Sequence, residues 1–156
     1  MTTPEPDWVE MSHRDIRAMF DYWRGKCAGR LMPARGDIDP ADILPFLPYV
    51  TLVDVVADER RFVYRLIGTM EVALRGGDPT GKSVVEAFFG RSAESVLRKY
   101  QTVCTTRAPY HERDDYQVVD RYVGEENLFL PLSDDGEQVN KILVFSINRD
   151  LYDVVP

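Results

Sequence analysis

The chain has 156 residues, the length of a single domain that can bury a core without disulfides or structural metals. Its 19 Lys and Arg residues against 26 Asp and Glu residues give a net charge of −7, which argues against nucleic acid and anionic membranes as direct partners. The N-terminus is polar and no apolar run approaches the roughly 20 residues that span a bilayer, so we expect a soluble, cytoplasmic protein.

The first predicted element is an N-terminal helix that begins at Ser12 and ends near Gly29. Ser12 opens the helix-start pattern S-x-x-D, and apolar residues follow at helical spacing. We treat residues 1–29 as a helical extension and residues 30–150 as the domain proper. The apolar stripe could cover the sheet of its own domain or bind a second copy or another protein, and the sequence leaves both roles open. The stripe consists of Ile16, Met19, Phe20 and Trp23.

Turn-forming residues dominate the segment that follows, residues 32–40. Arg35, Asp37 and Asp39 are predicted to fix this turn through hydrogen bonds and caps, and we prefer that role to a polar binding site. A short helix should start at Asp39, with Pro at its first position, and stop before Pro45. Residues 49–57 and 62–67 then predict a β-hairpin, because they are rich in β-branched and alternating apolar residues.

The apolar period becomes helical between residues 70 and 108. Two short helices are predicted around residues 70–74 and 84–88, and a long helix follows between residues 96 and 104. Residues 110–119, 122–132 and 138–147 predict three more strands. Two blocks of strands separated by helices indicate an α+β domain with one five-stranded, largely antiparallel sheet and helices packed on one face.

Four motifs, taken in order and spacing, carry a family resemblance. They resemble the PAS domain, in particular the small bacterial proteins, abundant in alphaproteobacteria, that consist of little more than one such domain. The resemblance implies a sensory or regulatory module in bacterial signalling, without enzymatic activity, that forms a homodimer and binds a signalling protein partner. The motifs are Met32-Pro33-Ala34-Arg35-x-Asp37-Ile38-Asp39-Pro40, Arg65-Leu66-Ile67-Gly68-Thr69, Gly77-Asp78-x-Thr80-Gly81-Lys82 and Leu130-Pro131-Leu132-Ser133-x-Asp135-Gly136.

The resemblance also implies an internal pocket between the inner face of the sheet and the helices of the middle segment. Its apolar lining would suit a small organic ligand, while a core filled by its own side chains is an equally good interpretation. No cofactor or metal is predicted. A lone His111 is weak support for haem, and neither Cys27 nor Cys104 stands in the Asn-Cys-Arg motif of flavin-binding relatives. The predicted lining is Tyr64, Leu66, Met70, Leu74, Val85, Phe88, Tyr100, Cys104, Leu128 and Val144.

Two other functional classes are less favoured. Residues 76–83 match the phosphate-binding pattern G-x-x-x-x-G-K-S, but a predicted helix precedes them and no downstream apolar strand ends in the Asp that would hold magnesium. An enzyme or carrier on a cone-shaped α+β fold would need acid/base pairs in its cavity. The carboxylates within residues 112–115 and those of Glu125 and Glu126 are expected to be solvated, so no catalytic residue is predicted.

Overall fold

The computed structural model of the protein describes residues 5–89, 92–118, 121–148 and 152. Three α-helices, five strands and a long 3-10 segment, Pro40–Tyr49, form the described fold. The helices are α1 (Arg14–Cys27), α2 (Thr69–Arg75) and α3 (Ala93–Thr106), and the strands are β1 (Val50–Val55), β2 (Phe62–Ile67), β3 (Tyr110–Val118), β4 (Arg121–Leu132) and β5 (Lys141–Asn148). No helix in this described part has the length and apolarity that crossing a bilayer requires.

The five strands form one sheet in the order β2-β1-β5-β4-β3, and every neighbouring pair is antiparallel. The first strand therefore pairs with the last, with Thr51 opposite Val144. The predicted α+β class and the five-stranded antiparallel sheet are confirmed. We call the face that α2 and α3 cover the inner face, and the face that α1 covers the outer face.

A β-bulge in β2 changes which side chains reach the inner face. Leu52 pairs with Leu66, but the next residue, Val53, pairs with Tyr64, so Arg65 is an extra residue. Successive residues of a strand point to opposite faces, and a bulge shifts that alternation by one position. Tyr64 therefore points to the inner face while Leu66 points to the outer face, where its side chain is 52% exposed.

Helix α1 lies on the outer face of the chain's own sheet. The four stripe residues are almost completely buried there: Ile16, Met19, Phe20 and Trp23. The indole Nε1 of Trp23 donates a hydrogen bond to the carbonyl of Pro131 in β4 at 2.9 Å. Of the two roles left open for the stripe, covering its own sheet is the one that the structure displays.

The cap of α1 lies one residue later than predicted. The Nδ1 atom of His13 accepts the backbone hydrogen bond of Asp15, so His13 is the N-cap. The hydroxyl of Ser12 is already engaged, because it donates to the carbonyl of Val9 at 2.6 Å. The Ser12 side chain, which the sequence pattern predicts as the helix cap, is thus used by the preceding turn at Val9–Met11.

The segment between α1 and β1 follows the turn chemistry expected of it. Asp37 accepts from the backbone of Ala34 at 2.8 Å and Asp39 caps the 3-10 segment by accepting from Ala41 at 2.9 Å. The predicted stop before Pro45 is wrong. The segment kinks at Ile43 and continues in 3-10 form to Tyr49, a geometry that tolerates its internal prolines.

The short helix predicted around residues 84–88 is also wrong. That stretch is a turn, and its start pairs with β2: the backbone of Val84 donates to Phe62 at 2.9 Å, and Lys82 accepts from Tyr64 at 3.0 Å. Backbone groups used across strands in this way are not available for helical i to i−4 bonds. The apolar spacing that suggested a helix instead buries Val84 against the sheet.

Candidate functional site

Helices α2 and α3 and the inner face line a small cavity of about 40 Å³, which we call the inner cavity. A cavity of that size has room for roughly three water molecules or one very small ligand. Aromatic and apolar side chains form part of its wall: Tyr64, Phe89, Val96, Tyr100, Phe129 and Val144. Polar and charged side chains form the rest: Thr51, Glu71, Arg75, Lys99, Glu112, Glu125, Asn127 and Ser146.

Glu71 contributes a buried carboxyl group from the first turns of α2. Its side chain is only 6% exposed. Burial, reinforced by the charge of Glu125 and opposed by Arg75, raises the pKa of Glu71 from 4.5 to about 8. Near neutral pH this carboxyl therefore carries a proton, which makes it a hydrogen-bond donor as well as an acceptor.

Arg75 lies one helical turn after Glu71 on the same side of α2. Its Nη1 donates to the hydroxyl of Tyr64 at 3.2 Å, and its guanidinium carbon lies 4.8 Å from the centre of the Tyr64 ring. Burial acts to lower the pKa of Arg75, but Tyr64, Tyr100 and Glu71 outweigh it and hold the pKa above its ordinary value. Its Nε–H is buried and finds no acceptor among the described residues.

Asn127 on β4 supplies an unpartnered acceptor, the counterpart of the Arg75 Nε donor. Its Nδ2 donates to Glu112 at 2.9 Å and to Glu125 at 3.2 Å, so both amide hydrogens are directed to carboxylates. This fixes the orientation of the amide, because a carboxylate can only accept. The Oδ1 atom is left buried without a donor from the part of the chain that the structure describes, on a residue that is 6% exposed.

Lys99 and Glu112 form an ion pair at one side of the inner cavity. The Nζ–Oε1 distance is 2.8 Å, and the two side chains are 18% and 14% exposed. With Glu71 protonated, the two cations Arg75 and Lys99 face the two carboxylates Glu112 and Glu125. The lining as a whole then carries no net charge.

The expectation that these acidic residues are solvated is wrong for β4. Glu125 is 7% exposed and Glu126 is 1% exposed. The strand lies inside the sheet between β5 and β3 and is covered on both faces, so neither side chain can reach water. Being consecutive, Glu125 points to the inner cavity while Glu126 points to the outer face.

Glu126 joins β4 to the start of α1. Both its carboxylate oxygens lie 3.3 Å from the backbone nitrogen of His13, which donates to them. The ring Nε2 of His111 lies 2.6 Å from Oε2, and the ring of Trp8 stacks on His111 at 4.6 Å between centres. Burial acts to raise the pKa of Glu126, but the hydrogen bonds with His111 and His13 hold it below its ordinary value. His111 on β3 thus pairs across strands with Glu126 on β4.

The predicted pocket residues are dispersed by this fold. Tyr64, Tyr100 and Val144 line the inner cavity. Leu66 and Leu128 belong to the outer face instead, since Leu66 follows the bulge and Leu128 alternates with the cavity residues of β4.

The other predicted lining residues lie nearer the surface, because α2 and the turn after it present only part of their side chains to the sheet. Met70, Val85 and Phe88 are 37%, 45% and 41% exposed. Leu74 and Cys104 are half-buried, and Cys104 lies in a separate surface cleft near Phe62. The sequence did not single out Glu71, Arg75 or Asn127.

The glycine-rich stretch of residues 76–83 lacks the geometry of a phosphate cradle. Such a cradle needs several backbone N–H groups directed at the ligand. Here Gly76 and Gly77 donate to Val72, and Gly81 donates to Tyr64. Lys82 is exposed.

Comparison with family models matches residues 11–145 to a family described as a PAS domain, and this range includes α1. The PAS domain of BvgS from Bordetella pertussis superposes with a TM-score of 0.54 at 20% identity, over 72% of this chain and 96% of that chain. The light-state LOV domain of the blue-light photoreceptor Aureochrome1 superposes with a TM-score of 0.50 at 9% identity, over 76% of this chain and 94% of that chain. At these identities the likeness concerns the fold alone. No curated protein matches the sequence.

Proposed function

Because the chain belongs to the PAS domain family, we propose that it is a sensory module of bacterial signalling whose inner cavity binds a small ligand and whose helix α1 transmits the change to a partner protein. PAS domains are sensory modules. One observation supports the ligand: Arg75 Nε and Asn127 Oδ1, two buried polar atoms of opposite kind, lack partners among the described residues, and both residues line the inner cavity.

Unpartnered buried atoms are costly enough to call for a compensating role. Leaving a buried donor or acceptor unsatisfied costs about 1–3 kcal/mol, and native proteins keep very few such groups. The cavity has room for water that can bond both atoms in the ligand-free protein. A ligand that bonds both atoms directly displaces this water and keeps both polar groups satisfied.

Strand β4 supplies the proposed route from the cavity to α1. Glu125 and Asn127 face the inner cavity, and Glu126 between them accepts from the backbone N–H of His13, the N-cap of α1. A ligand that draws Asn127 toward it changes the position of β4, and the contact of Glu126 with His13 changes with it. The sheet thereby couples its inner face to the helix on its outer face.

Native mass spectrometry of the protein purified from its own bacterium tests the ligand. We expect a stoichiometric adduct in the native spectrum that disappears on denaturation. The adduct should be lost in Arg75→Met and retained in Arg98→Met, a matched control on an α3 side chain that is 70% exposed. A clean ligand-free mass for the unsubstituted protein contradicts the ligand part of the proposal.

We also propose that the chain acts as a homodimer and binds a signalling protein, as its family resemblance implies. The stripe residues Ile16, Met19, Phe20 and Trp23 lie in the core of one chain, so these contacts use other surfaces while α1 stays docked. Sedimentation equilibrium over a wide concentration range is expected to give twice the chain mass. A monomer at every concentration contradicts the dimer.

A further inference from the structure

The two unpartnered atoms, on residues that line the inner cavity, specify a ligand with two different polar groups. Arg75 Nε–H is a donor and requires an acceptor, while Asn127 Oδ1 is an acceptor and requires a donor. A compound with acceptors alone leaves Asn127 unsatisfied, and a compound with donors alone leaves Arg75 unsatisfied. A ligand that satisfies both atoms therefore carries one acceptor and one donor.

The charge of the lining favours an uncharged ligand. With Glu71 protonated, Arg75 and Lys99 are balanced by Glu112 and Glu125, and Lys99 is already paired with Glu112 at 2.8 Å. Because the lining charges already balance, an anion would add negative charge beside the carboxyl groups of the lining, and a cation would add positive charge beside Arg75 and Lys99. Bringing an ion into such a buried site costs several kcal/mol unless a new partner compensates.

The size and wall of the cavity limit the ligand to a few heavy atoms. The volume of the inner cavity is about 40 Å³. Tyr64, Tyr100, Phe129 and Val144 supply flat and apolar surface beside the polar groups. A planar polar group bearing one small alkyl substituent matches this combination, because its polar edge and its alkyl end require different surroundings.

We propose that the inner cavity takes a short-chain primary carboxamide, with its carbonyl oxygen accepting from Arg75 Nε and its N–H donating to Asn127 Oδ1. This ligand class rests on the proposed function, since it assumes that the inner cavity is the sensing site. Glu71 in its protonated form adds a second donor or acceptor at the same site. A carboxamide is uncharged, planar and carries both polar groups on one carbon.

Four compounds with the same number of heavy atoms test separately whether the ligand needs a donor, an acceptor and zero net charge. Acetamide has donor and acceptor and is uncharged, acetate has acceptors and a negative charge, acetamidinium has donors and a positive charge, and acetone has an acceptor alone. Ligands of this size reach dissociation constants of roughly tens of micromolar at best, so titrations should extend into the millimolar range. Proton–nitrogen NMR reports directly on the side-chain Nδ2 of Asn127 and Nε of Arg75.

We expect acetamide to bind at least tenfold more tightly than the other three and to shift both reporter signals. Equal or tighter binding of acetate, acetamidinium or acetone overturns the ligand class and leaves the cavity as a binding site. Binding of none of them also overturns the inference. The sensory role itself is judged separately by the adduct in the native mass spectrum, which depends on no assumption about ligand chemistry.

Matched substitutions localise the binding. Asn127→Leu removes the acceptor and Arg75→Met removes the donor, and each should weaken acetamide binding at least tenfold. Arg75→Lys serves where Arg75→Met fails to fold, because it keeps the charge but lacks the Nε donor. Arg98→Met should change the affinity by less than a factor of two. Undiminished acetamide binding in a folded Asn127→Leu or Arg75→Lys protein contradicts the proposed contacts.

Discussion

At the scale of single residues, burial gives Glu71 a proton affinity that its sequence context does not reveal. The folded protein binds this proton more tightly than the unfolded chain, since the pKa rises from 4.5 to about 8. Its contribution to stability is therefore fully present below pH 4.5 and is lost as the pH rises toward about 8.

Glu71→Gln is expected to remove this pH dependence, because glutamine resembles the protonated carboxyl and does not titrate. Between pH 5 and 7.5 the stability of the unsubstituted protein relative to the variant should fall by about 1.4 kcal/mol per pH unit. Urea unfolding of both proteins at several pH values measures this difference. Parallel pH profiles would mean that Glu71 is ionised in the folded protein.

Gly68 shows how a single residue of the Arg-x-x-Gly-Thr motif serves packing. It is the N-cap of α2, and a Cβ atom placed on it would lie 2.4 Å from the carbonyl oxygens of both Leu47 and Pro48. These are backbone atoms of the 3-10 segment, which cannot rotate away as a side chain can. The glycine therefore allows α2 to start directly against that segment.

Gly68→Ala should lower the free energy of unfolding by about 1–3 kcal/mol, the usual cost of overpacking. Gly25→Ala is the matched control, because Gly25 lies within α1 and a methyl group added there would meet no atom within 4 Å. That substitution should stabilise the protein by up to about 1 kcal/mol through helix propensity. Similar effects of the two substitutions on urea unfolding would contradict the packing role of Gly68.

At the scale of elements, α1 is part of the domain core. The family match begins at residue 11, before the helix, and Trp23 is 6% exposed with its indole bonded to β4. The stripe thus contributes to the stability of one chain. If the same stripe held two chains together instead, stability would depend on protein concentration.

Trp23→Ala is expected to destabilise the protein by about 3–5 kcal/mol, because it removes a large buried side chain and leaves the Pro131 carbonyl without its donor. The unfolding midpoint of the unsubstituted protein should not change with concentration if α1 stabilises its own chain. Thermal unfolding at low and high concentration measures both effects. A strongly concentration-dependent midpoint that the substitution abolishes would identify α1 as an intermolecular contact.

Most element types could be predicted from the sequence because they depend on local periodicity, whereas the pairing of β1 with β5 joins strands from distant parts of the chain. The period-two pattern of β4 also indicates that Glu125, Asn127 and Phe129 share a face. It does not indicate that the face is covered, which depends on α2 and α3 packing from distant parts of the chain. The bulge at Arg65 could likewise not be predicted from the sequence. An extra residue leaves the apolar composition of β2 unchanged and only reverses the direction of Leu66.

At the scale of the whole molecule, the two faces of the sheet hold different chemistry. The inner face has a polar cavity, and the outer face has a histidine–glutamate pair beneath the start of α1. The two sites are separated by the thickness of one strand, because Glu125 and Glu126 are consecutive. The proposed coupling between the two faces therefore needs no long chain of intermediates.

Glu126→Gln tests this connection. The variant can still accept from the His13 backbone, but a neutral acceptor forms a weaker hydrogen bond than a carboxylate. Amide exchange of His13 and the first turn of α1 should quicken about tenfold, while α3 is unaffected. Glu94→Gln, on an α3 side chain that is 85% exposed, is the control. Unchanged exchange in α1 would mean that Glu126 does not hold the helix.

The proton on Glu71 has a consequence for what such a module can report. If the ligand prefers the protonated cavity, thermodynamic reciprocity requires that the ligand also raises the affinity of Glu71 for its proton. Ligand binding and protonation of Glu71 are then linked in one equilibrium. Because the pKa of Glu71 is about 8, its protonation changes near physiological pH. The proposed ligand would then bind less tightly as the pH rises through about 8, even at an unchanged ligand concentration.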